Sequence, residues 1–396
     1  MKQILFISWD GAETNYMEGL FLPIFNTIQL NSDYRFHVIQ FSWSDPNKIS
    51  KVKATATSMD IKYHHLKVIK KPTNTIGSIY SLFKGRKFIE KYILEHSIAI
   101  VMPRSIMPAL LVNKLRMNGF KLIFDADGLP LEERIDFAQL KMNSYHYRYL
   151  KKQEDLMLAK ADLVITRSKK SIHIHTETIG GKSFEKFSRV INGRDVDFFK
   201  PDKQSREIIR ERLSIDSDEI VFVYCGSLGP QYCLEEMIEI FSRYREHQKK
   251  GKFLILTTNV AYAERIIPEN KKEFVLIKKV LFDEVPMYLS AADIAFSLRI
   301  PRYSMRGVFP IKLAEYLLMG LPVITSKGIG DTEDLLKEAP GCFVFNHFST
   351  KSMHLVNEFL FQAKEFDQNK IRAFAVKNFS LEKCANQYIK TFNKLS

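Results

Sequence analysis

Lys312 and Glu315 stand three residues apart in the stretch 307–324, Gly-Val-Phe-Pro-Ile-Lys-Leu-Ala-Glu-Tyr-Leu-Leu-Met-Gly-Leu-Pro-Val-Ile. On a helix, residues three apart are neighbours. One face therefore offers an ammonium, which suits a diphosphate, and an ionised carboxylate, which only accepts hydrogen bonds and suits a vicinal diol such as a ribose. Together they describe the chemistry of a nucleotide-sugar site. Pro310 suits a first helical position, good helix formers run to Met319, and Gly320 with Pro322 closes the helix before Val323 and Ile324 open a strand. Backbone N–H groups at a helix start carry partial positive charge, so the loop Gly307, Val308 and Phe309 is placed to lie against an anion.

Other chemistry-bearing residues fall where predicted strands end. Ile4–Ser8 reads as a buried strand, with Gly11 just beyond its carboxyl end. Lys121–Phe124 reads as another, followed by Asp125-Ala126-Asp127-Gly128. Ile220–Tyr224 leads into Cys225-Gly226-Ser227, and the strand over 291–298 leads into a loop carrying Arg299 and Arg306. Ligands of open parallel sheets gather outside the carboxyl ends of strands, and glycine or serine there lets a phosphate approach the backbone. Asn259 and Val280 follow two further predicted strands, Phe253–Thr257 and Phe274–Ile277.

The elements that must hold these residues alternate between short apolar strands, also expected at Phe36–Phe41 and Ile98–Met102, and helical stretches such as Ile76–Glu95, Ala109–Met117, Ser205–Leu213 and Leu355–Phe366. This is an α/β chain. With 396 residues it is long enough for two domains. It contains no Gly-x-Gly-x-x-Gly, so a dinucleotide fingerprint is absent.

The order Pro-x-Lys-x-x-Glu-Tyr-x-x-x-Gly-x-Pro-Val-Ile resembles the donor-site segment of family 4 glycosyltransferases. The resemblance extends loosely over most of the chain and implies a GT-B fold, in which two Rossmann-like doubly wound parallel-sheet domains face a central cleft. Val190-Ile191-Asn192-Gly193-Arg194-Asp195 through Pro201 resembles the family's interdomain passage. An acceptor domain is thus expected over 1–198 and a nucleotide-sugar domain over 199–377, with a last helix at 378–396 packing back on the first.

The implied activity is retaining transfer of a sugar from a nucleoside-diphosphate sugar to a glycan or lipid-linked acceptor, in bacterial surface polysaccharide synthesis. Glu315 would hold the ribose and Lys312 the diphosphate. Gly226, Ser227, Arg299, Arg306 and the backbone of residues 307–309 would help with the phosphates and sugar, the Asn259 and Val280 loops would face the base, and Gly11 would approach the diphosphate. Asp127 would face acceptor or sugar. A sugar-nucleotide epimerase on the same fold and a non-catalytic binding subunit are the rival readings.

Three departures from the family pattern matter. Ser227 replaces an arginine, Tyr232 and Cys233 stand where a lysine is usual, and Gly307 replaces the first of two glutamates. An Asp-x-Asp can hold a divalent metal against a diphosphate, but in this two-domain pattern Asp125 and Asp127 are read without one, and no cofactor or metal is expected. His173 and His175 lack a third ligand nearby.

The chain is 45% hydrophobic, 26% charged and carries a net +14, with an excess of about nine positive charges in residues 1–180 and about five in the rest. Such a basic half would suit an anionic membrane surface. Nucleic acid is not expected, since charge alone would have to carry it. The four cysteines show no disulfide or zinc spacing, which points to a reducing compartment. With no signal-like or spanning apolar run, the expected place is the cytoplasm, peripheral at the inner face of the plasma membrane.

Overall fold

A computed structural model describes residues 1–12, 14–181, 183–248 and 250–395, the side chains of residues 74, 75 and 364 excepted. Its contacts divide the chain into two units. The first is Met1–Gly193 with Arg306–Val308 and Leu381–Ser396, and the second is Arg194–Met305 with Phe309–Ser380.

The first unit is built on β1 (Lys2–Trp9), β2 (Tyr34–Ser42), β3 (Lys62–Lys67), β4 (Ile100–Pro103), β5 (Lys121–Asp125), β6 (Leu163–Thr166) and β7 (Phe187–Arg189). They form one parallel sheet in the order β3-β2-β1-β4-β5-β6-β7. Inner strands are apolar almost without alternation, as β1 (Lys-Gln-Ile-Leu-Phe-Ile-Ser-Trp) shows, because helices cover both faces of a parallel sheet. The order reverses between β1 and β4, so the crevice for a ligand opens there.

The second unit repeats the plan with β8 (Val221–Cys225), β9 (Lys252–Leu256), β10 (Val275–Lys278), β11 (Ile294–Ser297), β12 (Val323–Ser326) and β13 (Cys342–Phe345). Its parallel order is β10-β9-β8-β11-β12-β13, and the reversal falls between β8 and β11.

Several elements differ from the sequence expectation. The helix expected at Ala109–Met117 runs over Ile106–Val112, and the Asn113 amide beyond it donates to the Gln153 carbonyl at 2.9 Å. The one expected at Leu355–Phe366 starts earlier, at Thr350, and ends at Gln362. β3 and the helix Pro46–Ser58 were not anticipated: β3 reads Lys-Tyr-His-His-Leu-Lys, a polar edge strand without an apolar run. Pro310 is the N-cap of the helix Ile311–Leu318, with extended ψ, rather than its first helical residue. Gly320 closes that helix at φ +71°, and a Cβ there would meet the Gln368 carbonyl oxygen at 2.9 Å.

The helix Leu381–Phe392 belongs to the first unit, where the Phe392 ring meets Tyr34 at 5.1 Å and the Tyr34 hydroxyl donates to Asn393 Oδ1 at 3.0 Å. Ser396, the end of the expected last helix, lies outside the described residues.

Candidate functional site

In the second unit, Lys312 and Glu315 both project from the helix Ile311–Leu318 toward the end of β8, at the switch in strand order. The Lys312 amine donates to the Tyr224 hydroxyl at 2.8 Å, and that hydroxyl donates in turn to the Ser227 carbonyl at 2.5 Å. Beside it, Gly226 takes φ +140°, and a Cβ built there would stand 2.7 Å from Lys312 Nζ. The Cys225 N–H donates to the Tyr316 hydroxyl at 2.8 Å, so two tyrosines and one lysine hold the loop that follows β8. Tyr316 is the residue after Glu315 in the motif. Neither tyrosine was singled out from the sequence.

Burial and the nearby Arg299 guanidinium push the Lys312 amine down to about 7. Arg299 follows β11, across the same switch point, with its guanidinium carbon 5.0 Å from the Tyr232 ring centre. Two cations at the reversal of a parallel sheet form a place for an anion. The Phe309 side chain is buried against Phe379 at 5.3 Å.

Glu315, expected at the ribose, is also engaged within the protein. Arg194 Nη2 lies 2.5 Å from Glu315 Oε1, and both side chains are nearly buried. An ionised carboxylate has about four acceptor positions, so the pair leaves room for a diol while fixing where the carboxylate points. Arg194 stands in the Asn-Gly-Arg-Asp turn that the sequence marked only as a boundary. Burial, then Glu315, pushes the Cys225 thiol up to about 12, which leaves it neutral beside this pair.

Asn259 and Val280 follow β9 and β10 at the same end of the sheet, and Asn259 Oδ1 accepts from the Leu228 N–H at 3.3 Å. Cys233, Glu236 and His347 bring one ligand atom each within 4.8 Å of one another, the one such group among the described residues. Burial raises the Cys233 thiol, and His347 Nε2 contacts Ser326 Oγ at 2.7 Å.

The first unit has its own cluster beyond the carboxyl ends of β4, β5 and β6. Arg167 Nη2 meets both Asp125 oxygens, at 2.8 and 2.7 Å, and Arg104 Nη2 meets Asp127 Oδ2 at 2.6 Å. Two guanidiniums thus pair with both carboxylates of the Asp-x-Asp. Asp127 takes φ +64° and stays a third exposed, whereas Asp125 is fully buried. The loop is held by His175, whose Nε2 donates to the Gly128 carbonyl at 3.0 Å, and burial pushes its imidazole down to about 4. His173 is exposed, so the two histidines share no ligand position. The arginines and His175 are distant in sequence from the motif they serve, and only the partner strands β4 and β6 bring them to it.

Arg306 and Gly307 lie with this unit. The Arg306 carbonyl accepts from Ser168 Oγ at 2.6 Å, while its side chain is exposed. A Cβ on Gly307 would stand 2.9 Å from the Leu129 nitrogen and 3.0 Å from Gly128. The glycine at 307 therefore has a steric reason. Gly11 has room around it, with Thr14 the nearest atom to an added Cβ at 3.5 Å.

Residues 219–353 match the family described as glycosyl transferases group 1. No curated protein matches the sequence. Among solved structures, the chain is similar to Anabaena HepE in complex with UDP-glucose, with a TM-score of 0.72, 16% identity and 100% coverage of both chains. It is similar to sucrose-phosphate synthase from Thermosynechococcus elongatus, with a TM-score of 0.73, 15% identity and coverage of 100% and 99%. A third similarity is to the lipopolysaccharide outer core galactosyltransferase WaaB, at a TM-score of 0.64, 16% identity and 100% coverage of both chains. At such identities the structures speak for the fold, and the matched segment contains Gly226, Lys312 and Glu315. The chain thus has the GT-B fold of these glycosyltransferases, and its residues 219–353 are similar to glycosyl transferases group 1.

Proposed function

We propose that the chain transfers a sugar, with retention of anomeric configuration, from a nucleoside-diphosphate sugar to a glycan or lipid-linked acceptor. The observation that carries this is the Lys312 amine packed on Gly226 at the switch point of the second sheet. Lys312 and Arg299 meet the diphosphate charge, Glu315 oriented by Arg194 takes the ribose hydroxyls, and the loops at Asn259 and Val280 face the nucleobase. HepE, similar in fold, binds UDP-glucose.

In the reaction, the acceptor hydroxyl oxygen bonds to the anomeric carbon as the bond from that carbon to the diphosphate breaks. The departing diphosphate takes the hydroxyl proton, and the cations stabilise the charge that develops on it. No side-chain nucleophile and no metal are required, and Asp127 faces the acceptor or the sugar. Surface polysaccharide synthesis is the proposed setting. No helix among the described residues is long and apolar enough to cross a membrane, and peripheral contact through the basic first unit is part of the same reading.

A thermal-shift panel of nucleotide sugars tests the donor half. A ligand at a hundred times its dissociation constant adds about 2.7 kcal/mol of stability. A protein that no nucleotide or nucleotide sugar stabilises would defeat the proposal, and turnover of a nucleotide sugar into its epimer without acceptor would replace transfer by epimerisation.

A further inference from the structure

A cavity of about 890 Å³ opens in the first unit at the carboxyl ends of its first three strands. Trp9 ends β1, Trp43 follows β2 and Val68 follows β3, and all three line it. Its floor is aliphatic, formed by Leu82, Leu110, Leu111 and Leu150. At the mouth, Ile79 and Phe83 of the helix Asn74–Glu95 and Tyr145 of the helix Tyr145–Lys160 are each more than half exposed. Large apolar side chains left in water around a deep apolar pocket mark a binding surface.

The charge around the pocket has one sign. Lys70, Arg86, Lys114 and Arg134 line it, and among the described residues no acidic side chain does. Lys70 Nζ lies 3.8 Å from the centre of the Trp43 ring, so an ammonium is held at the mouth by an aromatic face. Arg86 Nε is buried without a hydrogen bond, and its nearest carboxylate, Glu90, is 3.9 Å away. A hydrocarbon interior beneath a ring of cations complements an anionic amphiphile: a chain to fill the pocket and a phosphate to meet the rim.

We propose that this cavity holds the hydrocarbon chain of a phosphate-bearing lipid acceptor, with the phosphate among Lys70, Arg86, Lys114 and Arg134. The assignment rests on the acceptor side of the proposed transfer and narrows it to lipid phosphates. A free glycan has no use for the aliphatic floor.

The chain contains two tryptophans, and both line the pocket, so intrinsic fluorescence reports on it directly. Full-length protein titrated with decyl phosphate below its micelle concentration should show a saturable change in emission. Affinity should be at least tenfold tighter than for decanol, and inorganic phosphate should give no change. Lys114→Glu combined with Arg134→Glu should weaken decyl phosphate at least tenfold and leave decanol unaffected, while Ile79→Glu should weaken both. Equal affinity for decyl phosphate and decanol, no saturable response, or a response confined to phosphatidylglycerol vesicles would overturn the proposal, the last result in favour of a bilayer surface. UDP calorimetry on the same protein separates the readings: lost or absent UDP binding with decyl phosphate binding intact strikes the donor assignment alone.

Discussion

The Lys312 amine occupies the space that a side chain on residue 226 would need, since a Cβ on Gly226 would stand 2.7 Å from Nζ and 3.2 Å from Cε. Position 226 is doubly constrained, because its φ of +140° also strains any residue with a side chain. Glycine there serves both the loop and the lysine.

Gly226→Ala should therefore displace Lys312 and weaken UDP binding at least tenfold in calorimetry. Where the native φ is positive, alanine costs about 1 kcal/mol or more, so the denaturation midpoint should fall as well. Unchanged UDP affinity would mean that the amine is not part of the phosphate site.

How far this was legible in the sequence depends on distance along the chain. Lys312, Glu315 and the closing Gly320 announce themselves because a helix brings residues three apart together and ends on glycine. Gly226 could be placed at a strand end by the apolar run before it. Arg194 could not be paired with Glu315, because a link across more than a hundred residues is set by packing and leaves no local period. The same holds for Arg104 and Arg167, which pair with the two carboxylates of the Asp-x-Asp from neighbouring strands. Gly307 appeared as the loss of a glutamate, whereas the close approach of Gly128 and Leu129 makes it a fit to backbone.

Glu315 and Arg194 form a nearly buried pair, and removing one partner leaves the other charge uncompensated, which costs about 3–5 kcal/mol. Arg194→Met should show that loss in chemical denaturation. Glu315→Gln should lose uridine as well as UDP, because a charge-assisted hydrogen bond contributes about 1.5–3 kcal/mol. Retained uridine affinity in a folded Glu315→Gln protein would leave the carboxylate a purely structural partner of Arg194.

Asp125 and Asp127 should separate cleanly. Asp125→Ala strips the buried Arg167 guanidinium of its carboxylate and should destabilise by about 3–5 kcal/mol. Asp127→Asn keeps a residue that tolerates the left-handed backbone, so folding and UDP affinity should hold while sugar transfer falls. Full transfer activity in Asp127→Asn would remove Asp127 from the proposed site.

Lys312 gives the site a pH dependence whose sign can be worked out. Its amine is pushed down to about 7 by burial and by Arg299, against an ordinary value of 10.5. Between those values the unfolded chain binds more protons than the folded one, so this group's contribution to stability rises as pH climbs from about 7 to 10.5. Binding runs the other way. A diphosphate favours the charged amine and raises its pKa, so above pH 7 the complex takes up a proton and affinity falls as pH rises. At pH 8, UDP titrations in buffers of different ionisation enthalpy should reveal net proton uptake, and Lys312→Met should abolish it. The same substitution should cost UDP affinity far more than uridine affinity, with the gap narrowing as salt screens the charge. Equal losses for UDP and uridine, or proton uptake that survives in Lys312→Met, would move the phosphate contact to Arg299.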